Sequence, residues 1–348
     1  MTVALTGGTG FFGTALVRHA VQAGARLRAL VRRAADDERL QALGAQVVRG
    51  DLSHAGGSAG LVEAGDTVIH AAARVELTGP WQAFERGTVA ITRHLLANAL
   101  SRGPARFVYV SSAAVYSSAD SPNGVCAERT PARPDSANLY GQAKLAAENC
   151  VREQCEAAGC PWTIVRLGFL YGPNNRALFD RLALFAARRR LFLLGDGQNR
   201  IATLYNDDAA DAVWRAATHP AAVGRIYDAA AAEPVTQAQF LNAHLALMGH
   251  GELRRRLPPG FAYAATGVVE YVSRLLRLQP AISRAMVRLM STDQVVDATR
   301  LQTELAWQPQ VSFSEGMRRT GAWLNEVTGE RATSATGATG SVTGTDPA

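Results

Sequence analysis

A tyrosine and a lysine stand four residues apart in the sequence, at Tyr140 and Lys144. In a helix this spacing places both side chains on one face, about one turn apart. A free tyrosine has a pKa of about 10, too high for a base at neutral pH, and a neighbouring ammonium lowers that value. We predict that Tyr140 exchanges a proton with a substrate and that Lys144 tunes it. Taken alone, the pair would equally fit a surface helix with one buried tyrosine.

A hydroxyl upstream gives this pair a partner. Ser112 follows the apolar run Phe107–Ser111, so a strand there would carry it to the carboxyl edge of the sheet, where open α/β sheets bind ligands. At that edge Ser112 can orient a substrate oxygen towards Tyr140. The predicted chemistry is acid/base exchange of a proton between a substrate oxygen and the phenol. This chemistry requires no metal ion.

The N-terminus predicts the cofactor class. A short apolar run, Thr2–Leu5, leads into glycines spaced GxxGxxG and then into a helical pattern over Thr14–Ala23. Glycines allow tight turns and close backbone approach, and a helix N-terminus offers N–H donors to a pyrophosphate. The residues expected to contact a dinucleotide here are Gly7, Gly10, Phe11, Phe12 and Gly13.

The second predicted strand, Leu27–Val31, favours one dinucleotide over the other. NAD-binding folds commonly have a carboxylate after this strand, which binds the ribose hydroxyls, but here Arg32 follows it. Because a guanidinium suits a 2′-phosphate, we predict NADP in preference to NAD, while Asp36 and Asp37 keep NAD open. Further dinucleotide contacts are expected from Asp51, Leu52, Ala71, Ala72 and Ala73.

Alternating strand and helix patterns predict an α/β fold with a doubly wound parallel Rossmann sheet and a smaller, mainly helical C-terminal substrate domain. The predicted NAD(P)-binding domain covers 1–173, with a returning segment near 200–218. Residues 174–328 are mostly substrate-binding, and 329–348, rich in Gly, Ala, Ser and Thr, form a disordered tail. The predicted strands are Thr2–Leu5, Leu27–Val31, Gln46–Val48, Thr67–Ala71, Phe107–Ser111 and Trp162–Leu167.

Composition excludes several classes of protein. The 348 residues are 47% hydrophobic and 19% charged, as in a soluble globular enzyme. The net charge is +6, but the basic residues lie in short runs without interleaved aromatics, so no nucleic-acid partner is expected. The four cysteines lack CxxC spacing, which argues against a metal site and for reduced thiols in the cytoplasm.

No apolar run approaches the ~18 residues that a membrane span needs. The nearest, Phe261–Val269, is followed by Glu270 and Arg274 and predicts a buried or interfacial helix. Contact with a membrane surface is the less favoured interpretation. No secretory signal precedes the first predicted strand.

The glycine loop, Ser112, Tyr140 and Lys144 together resemble the extended short-chain dehydrogenase/reductases of the NAD-dependent epimerase/dehydratase type, from residue 1 to about 328. The resemblance implies that Ser112 is the catalytic hydroxyl, that Tyr140 is the general acid/base and that Lys144 also holds the nicotinamide ribose. The reaction it implies is interconversion of a secondary alcohol and a ketone, with hydride transfer to or from the nicotinamide. It further implies that segment 166–173, including Leu167 and Phe169, flanks the nicotinamide. Thr88 stands where the family often has Asn, so the role of that Asn is not transferred.

Details of the pattern resemble one branch of this family. Sugar-nucleotide dehydratases have an Asp–Glu pair where this chain has Ala113 and Ala114, and sugar-nucleotide epimerases tend to have an arginine where it has Ile201. The C-terminal pattern is similar to the 3β-hydroxysteroid dehydrogenase-like branch, which implies a small, apolar, hydroxysteroid-like or 3-keto-acid-like substrate. The alternatives are a nucleotide-sugar epimerase or reductase and a non-catalytic NAD(P)-binding sensor.

The resemblance also implies a homodimer. Members of the family often dimerise through the helices that here would cover about 88–102 and 139–158. The apolar faces of these segments are equally able to pack inside one chain.

Overall fold

A computed structural model describes residues 1–76, 78–117, 124–276, 278, 280 and 282–337. In chain order the strands are β1 Thr2–Thr6, β2 Arg26–Val31, β3 Gln46–Arg49, β4 Thr67–His70, β5 Arg106–Ser112, β6 Val125–Cys126, β7 Trp162–Leu167, β8 Phe169–Tyr171, β9 Leu193–Leu194, β10 Arg200–Ile201, β11 Thr203–Tyr205, β12 Arg225–Ala229, β13 Val235–Thr236, β14 Arg256–Leu257 and β15 Val295–Val296. The α-helices are α1 Phe11–Gln22, α2 Asp37–Ala42, α3 Trp81–Phe84, α4 Ile91–Leu100, α5 Leu139–Ala157, α6 Arg176–Ala187, α7 Asn206–Thr218, α8 Gln237–Leu247, α9 Pro259–Leu275, α10 Arg284–Ser291, α11 Thr299–Leu305 and α12 Phe313–Gly337, and a π-helical turn, Glu85–Ala90, joins α3 to α4.

The described residues form a seven-stranded parallel sheet in the order β12-β7-β5-β4-β1-β2-β3. The chain winds outwards from β1 to β3 and then crosses back to place β4 on the other side of β1. This reversal is the topological switch point at which doubly wound sheets bind their ligands. The predicted Rossmann sheet is therefore confirmed.

The sheet is buried on both faces, as the apolar strand runs require. Val3 and Leu5 of β1 point to a cluster with Val17 of α1 and Val213 of α7, whereas Ala4 points to the opposite cluster. That opposite cluster is covered by α4 and α5. The apolar faces predicted for a dimer contact therefore lie largely within the chain: Leu95, Leu96, Ala99, Ala147, Val151 and Cys155 are buried there.

Two elements from the second half of the chain complete the sheet layer. The predicted returning segment near 200–218 corresponds to α7, which packs against the same side of the sheet as α1. The edge strand β12 pairs with β7 and comes from the region predicted to be mostly substrate-binding.

The C-terminal region is mainly helical, as predicted. Its cluster of buried side chains joins α6, α8 and α12 to short strands, with Phe240 of α8 and Leu182 of α6 at its centre. Helix α12 continues to Gly337, into the segment 329–348 that the sequence predicts to be disordered, and residues 338–348 lie outside the described part of the chain. None of the helices within the described ranges is long and apolar enough to cross a bilayer.

Candidate active site

The glycine loop joins β1 to α1 and packs against the turn after β4. Gly7 has a φ of +79°, and a Cβ on it would stand 2.6 Å from the backbone nitrogen of Ala72. A Cβ on Gly13 would stand 1.9 Å from the carbonyl oxygen of Gly7. Helix α1 begins after Gly10 with no side-chain cap and no acidic residue in its first turn. The N–H groups at this helix N-terminus suit a pyrophosphate, so the loop fits a dinucleotide.

Some of the charged residues after β2 form ion pairs with one another, and one does not. Asp36 pairs with Arg33 at 3.0 Å, and Asp37 pairs with Arg49. Arg32 is exposed and forms no ion pair within the described part of the chain. The carboxylates of Asp36 and Asp37, which would otherwise favour NAD, are therefore paired with arginines. Arg32 is available to an anion.

The turns after β3 and β4 hold the other residues predicted to contact the dinucleotide. Asp51 follows β3 and accepts a hydrogen bond from the Ser53 amide at 2.9 Å. That hydrogen bond, with the charge of Arg32 as a smaller contribution, lowers the pKa of Asp51. Leu52 is buried, and residues 71–73, directly after β4, are half-buried beside the glycine loop.

Ser112 and Tyr140 meet at the carboxyl end of β5. The Ser112 hydroxyl lies close enough to the Tyr140 hydroxyl to act on its pKa, and Ser112 Oγ accepts a hydrogen bond from the Ala114 amide at 3.2 Å. Asn138 caps α5 by accepting from the Gly141 amide and donates to the Ala114 carbonyl, both at 2.9 Å. These contacts fix the first turn of α5, which carries Tyr140. Burial raises the pKa of Tyr140, and the nearby Ser112 hydroxyl acts against that rise.

Lys144 lies one turn further along α5 and is buried, with 3% of its surface exposed. Its Nζ donates to the Val110 carbonyl at 2.6 Å and to the Tyr109 hydroxyl at 3.2 Å. Burial lowers the pKa of Lys144 to about 7, against the opposing effect of Glu148. The Lys144 amine is thus held against β5 by Val110 and Tyr109.

A buried histidine that the sequence analysis missed lies beneath the glycine loop. His70 ends β4 and is hydrogen-bonded through Nδ1 to Thr6 Oγ1 at 2.6 Å and through Nε2 to Thr92 Oγ1 at 2.9 Å. Burial lowers its pKa to about 3, so the ring is neutral at physiological pH. His70 thereby ties the ends of β1 and β4 to α4. A polar residue inside the apolar run of β4 was the signal available in the sequence.

Thr88 lies fully buried in the π-helical turn Glu85–Ala90. Its hydroxyl accepts from the Arg74 amide at 3.3 Å, and the neighbouring Gly87 carbonyl accepts from the same amide at 2.9 Å. Thr88 therefore anchors the loop after β4. Single π-helical turns frequently occur at functional sites.

A buried polar network supports the back of α5, and the sequence analysis also missed it. Arg166 donates to the Glu148 carboxylate at 2.9 and 2.6 Å and to the Tyr116 hydroxyl at 2.8 Å. Tyr116 donates in turn to Asp228 Oδ2 at 2.6 Å, and Ser111 donates to Glu148. Burial raises the pKa of Asp228 to about 8. Arg166, in the segment predicted to flank the nicotinamide, is thus fully engaged within the protein.

Parallel pairing places most of the predicted site residues at one edge of the sheet. Leu167 ends β7 and is buried, and Phe169 starts β8 and packs edge-to-face on Phe240 with ring centres 5.4 Å apart. Gly10, Phe11, Phe12 and Gly13 lie at the start of α1. The predicted residues that end a strand or follow one within two residues at this edge are Gly7, Arg32, Asp51, Ala71, Ser112 and Leu167.

The structure shows the surroundings of residues 113–114 and of residue 201, where the sequence analysis compared branches of the resembled family. Ala113 and Ala114 form the short helical turn after Ser112, with no carboxylate there. Ile201 is buried, and Arg200 beside it pairs with Asp293 at 2.7 Å. Within the described ranges, no cluster of three His, Cys, Asp or Glu side chains is placed to hold a metal ion.

Comparison with known proteins gives the class. The sequence model of the NAD dependent epimerase/dehydratase family matches residues 3–230. A 2-alkyl-3-oxoalkanoate reductase of Stenotrophomonas maltophilia is 30% identical over 92% of this chain and 98% of its own length. A 3β-hydroxysteroid dehydrogenase/decarboxylase of Arabidopsis thaliana is 24% identical over 82% of this chain and 53% of its own length. The solved structure of MoeE5 with UDP-glucose and NAD superposes with a TM-score of 0.71 at 20% identity, covering 94% of this chain and all of that one.

The chain belongs to the NAD dependent epimerase/dehydratase family. It is an NAD(P)-binding protein of the oxidoreductase and epimerase type. The predicted resemblance to the extended short-chain dehydrogenase/reductases, including relatives of the 3β-hydroxysteroid dehydrogenase type, is confirmed.

Proposed function

We propose that this protein is an NADP(H)-dependent reductase that converts a hydrophobic 3-keto acid to the 3-hydroxy acid and, in reverse, oxidises the alcohol. The observation that carries this proposal is the placement of Ser112 beside Tyr140 at the carboxyl edge of the sheet, with Lys144 one turn further on. The name of the 30% identical relative supports the substrate class.

The proton chemistry belongs to the two hydroxyls. During reduction Tyr140 gives its proton to the ketone oxygen, and Ser112 holds that oxygen by a second hydrogen bond. In the opposite direction Tyr140 takes the proton from the alcohol. A bound nicotinamide supplies or accepts the hydride.

Lys144 is the only lysine in the sequence, and all the other residues of the Lys and Arg group are arginines. Arginine stays charged under all conditions, whereas a buried lysine changes its pKa readily. Retention of a lysine at this one buried position supports a role that needs a tunable amine. We assign Lys144 to the nicotinamide ribose.

Cofactor preference rests on Arg32. Because Asp36 and Asp37 are ion-paired, Arg32 is the group best placed to bind a 2′-phosphate. An Arg32→Asp variant is expected to lower kcat/KM for NADPH about a hundredfold relative to NADH. Steady-state assays of both cofactors with each variant measure this ratio, and Arg33→Asp is the matched control. A wild-type enzyme that strongly prefers NADH contradicts the assignment.

The residues around the site support an apolar substrate over a nucleotide sugar. Ala113 and Ala114 provide no acid for dehydration. Buried Ile201 stands where epimerases tend to bind the diphosphate, and Arg200 is committed to Asp293.

The decisive experiment pairs a substrate panel with one variant. Purified protein is assayed for net change in nicotinamide absorbance with 2-alkyl-3-oxoalkanoates, hydroxysteroids and UDP-sugars, and turnover of the keto acids is expected. Tyr140→Phe should reduce turnover by about 10²–10⁴-fold while NADPH binding, followed by fluorescence, is unchanged. Activity confined to UDP-sugars without net cofactor change identifies an epimerase and overturns the proposal, as does unchanged turnover in Tyr140→Phe.

A further inference from the structure

Helix α9 turns its apolar side to solvent. Phe261, Val268 and Leu275 are 64%, 64% and 66% exposed, and their spacing of seven residues aligns them along one side of the helix. Contiguous exposed apolar surface of this kind marks an interaction site. The exposed residues that widen the stripe are Ala264, Ala265, Val269, Tyr271 and Val272.

Three polar side chains of α9, those of Tyr263, Thr266 and Glu270, face the protein instead. Glu270 accepts two hydrogen bonds from Arg284 of α10, from its amide at 2.8 Å and its Nε at 2.7 Å. Tyr263 lies beneath the same guanidinium, and Thr266 is buried. A surface helix ordinarily buries its apolar stripe and exposes its charges, so α9 has the reverse arrangement.

Six arginines lie beside the first turn of this helix. Strand β14, directly before α9, pairs in parallel with β9 and brings the runs 188–190 and 254–256 together. Arg255 Nη1 donates to the Arg189 carbonyl at 2.7 Å. All six arginines are exposed, and Glu252, paired with Arg254, is the single carboxylate in segments 188–193 and 251–258.

We infer that α9 binds the protein to an anionic lipid surface. An exposed apolar stripe flanked by guanidinium groups matches a helix that lies in the interface, with its side chains at the acyl boundary and the cations at lipid phosphates. The 17 residues of α9 span about 25 Å, and α9 is not long and apolar enough to cross a bilayer, so the contact is parallel to the surface. This inference goes beyond the proposed reaction and does not depend on it.

Vesicle co-sedimentation of the full chain tests the inference. Binding is expected to vesicles of phosphatidylglycerol and phosphatidylcholine, with much weaker binding to phosphatidylcholine alone and in high salt. Replacing Arg254, Arg255 and Arg256 together by Glu should lower the partition coefficient about a hundredfold. Val272→Glu should lower it about tenfold, because it puts a charge in the apolar stripe.

Matched variants separate this surface from general charge and hydropathy. Val223 is as exposed as Val272, at 44% each, and lies before β12, so Val223→Glu should bind vesicles normally. The triple replacement of exposed Arg26, Arg86 and Arg102 by Glu makes the same charge change elsewhere and should also bind. Unchanged thermal unfolding shows that each variant is folded.

Three outcomes overturn the inference. The first is a wild-type protein that does not bind anionic vesicles, or binds neutral vesicles equally well. The second is an equal loss of binding in the control variants. The third is a change of oligomeric state in Val272→Glu, measured by sedimentation, without any vesicle binding by the wild type, which would assign the stripe to a second copy of the chain.

Discussion

At the scale of single residues, burial of protonated Lys144 lowers the stability of the folded protein. Burial lowers its pKa from 10.5 to about 7, so the unfolded chain holds this proton more tightly than the folded one. Folding releases the proton between these two pKa values. Stability from this group therefore increases as pH rises from 7 towards 10 and is lowest below pH 7.

A Lys144→Met variant isolates this effect. Below pH 7 it avoids a cost of roughly 3–5 kcal/mol, and its stability relative to wild type should fall by that amount as pH rises to 10. Urea unfolding of the cofactor-free proteins at several pH values measures the difference. Leu145→Met is the control and should show a difference that is independent of pH. A constant difference for Lys144→Met would show that the amine keeps an ordinary pKa.

At the residue scale, the sequence allowed prediction only of groups whose spacing is local. The structure brings Ser112 to Tyr140, and Lys144 lies one turn on because the spacing of four is a property of the helix itself. The buried network was out of reach, since Tyr116 and Asp228 are 112 residues apart in the chain. Nothing local to either residue indicates that they meet.

At the scale of elements, the glycine loop depends on backbone contacts that exclude any side chain. Gly13→Ala is expected to lose about 2–4 kcal/mol of stability and to weaken NADPH binding at least about tenfold, because the added Cβ overlaps the Gly7 carbonyl. Thermal unfolding and cofactor titration measure both effects. A Cβ on Gly251 meets nothing within 4 Å, so Gly251→Ala should change neither. Normal cofactor affinity in Gly13→Ala would contradict this account of the loop.

Strands made of strongly apolar runs could be predicted from the sequence, whereas a strand that combines apolar and charged residues could not. All six predicted strands form, with ends shifted by about a residue. Strand β12 was missed because its five residues include Arg225 and Asp228, and its pairing with β7 supplies the reason for a strand. The run Phe261–Val269 was predicted to be a buried or interfacial helix, and the structure makes its outer face exposed.

At the scale of the whole molecule, the C-terminal region is held to the sheet layer by a few long-range contacts. The buried indole of Trp307 donates to the Asp208 carbonyl at 3.1 Å, and the Asp208 carboxylate accepts from the amides of Gln310 and Val311. These contacts join α7 to the segment before α12. Composition and alternation predicted the doubly wound sheet, but such joints between distant segments have no local sequence signal.

The burial of Lys144 also makes it a reporter of motion. Besides the α-amine of the N-terminus, the sequence has one primary amine, the ε-amine of Lys144. An acylating reagent reaches the first freely and the second only when the packing around α5 opens. The ratio of the two labelling rates therefore measures how often the centre of this site is open to solvent, with an internal standard in every molecule.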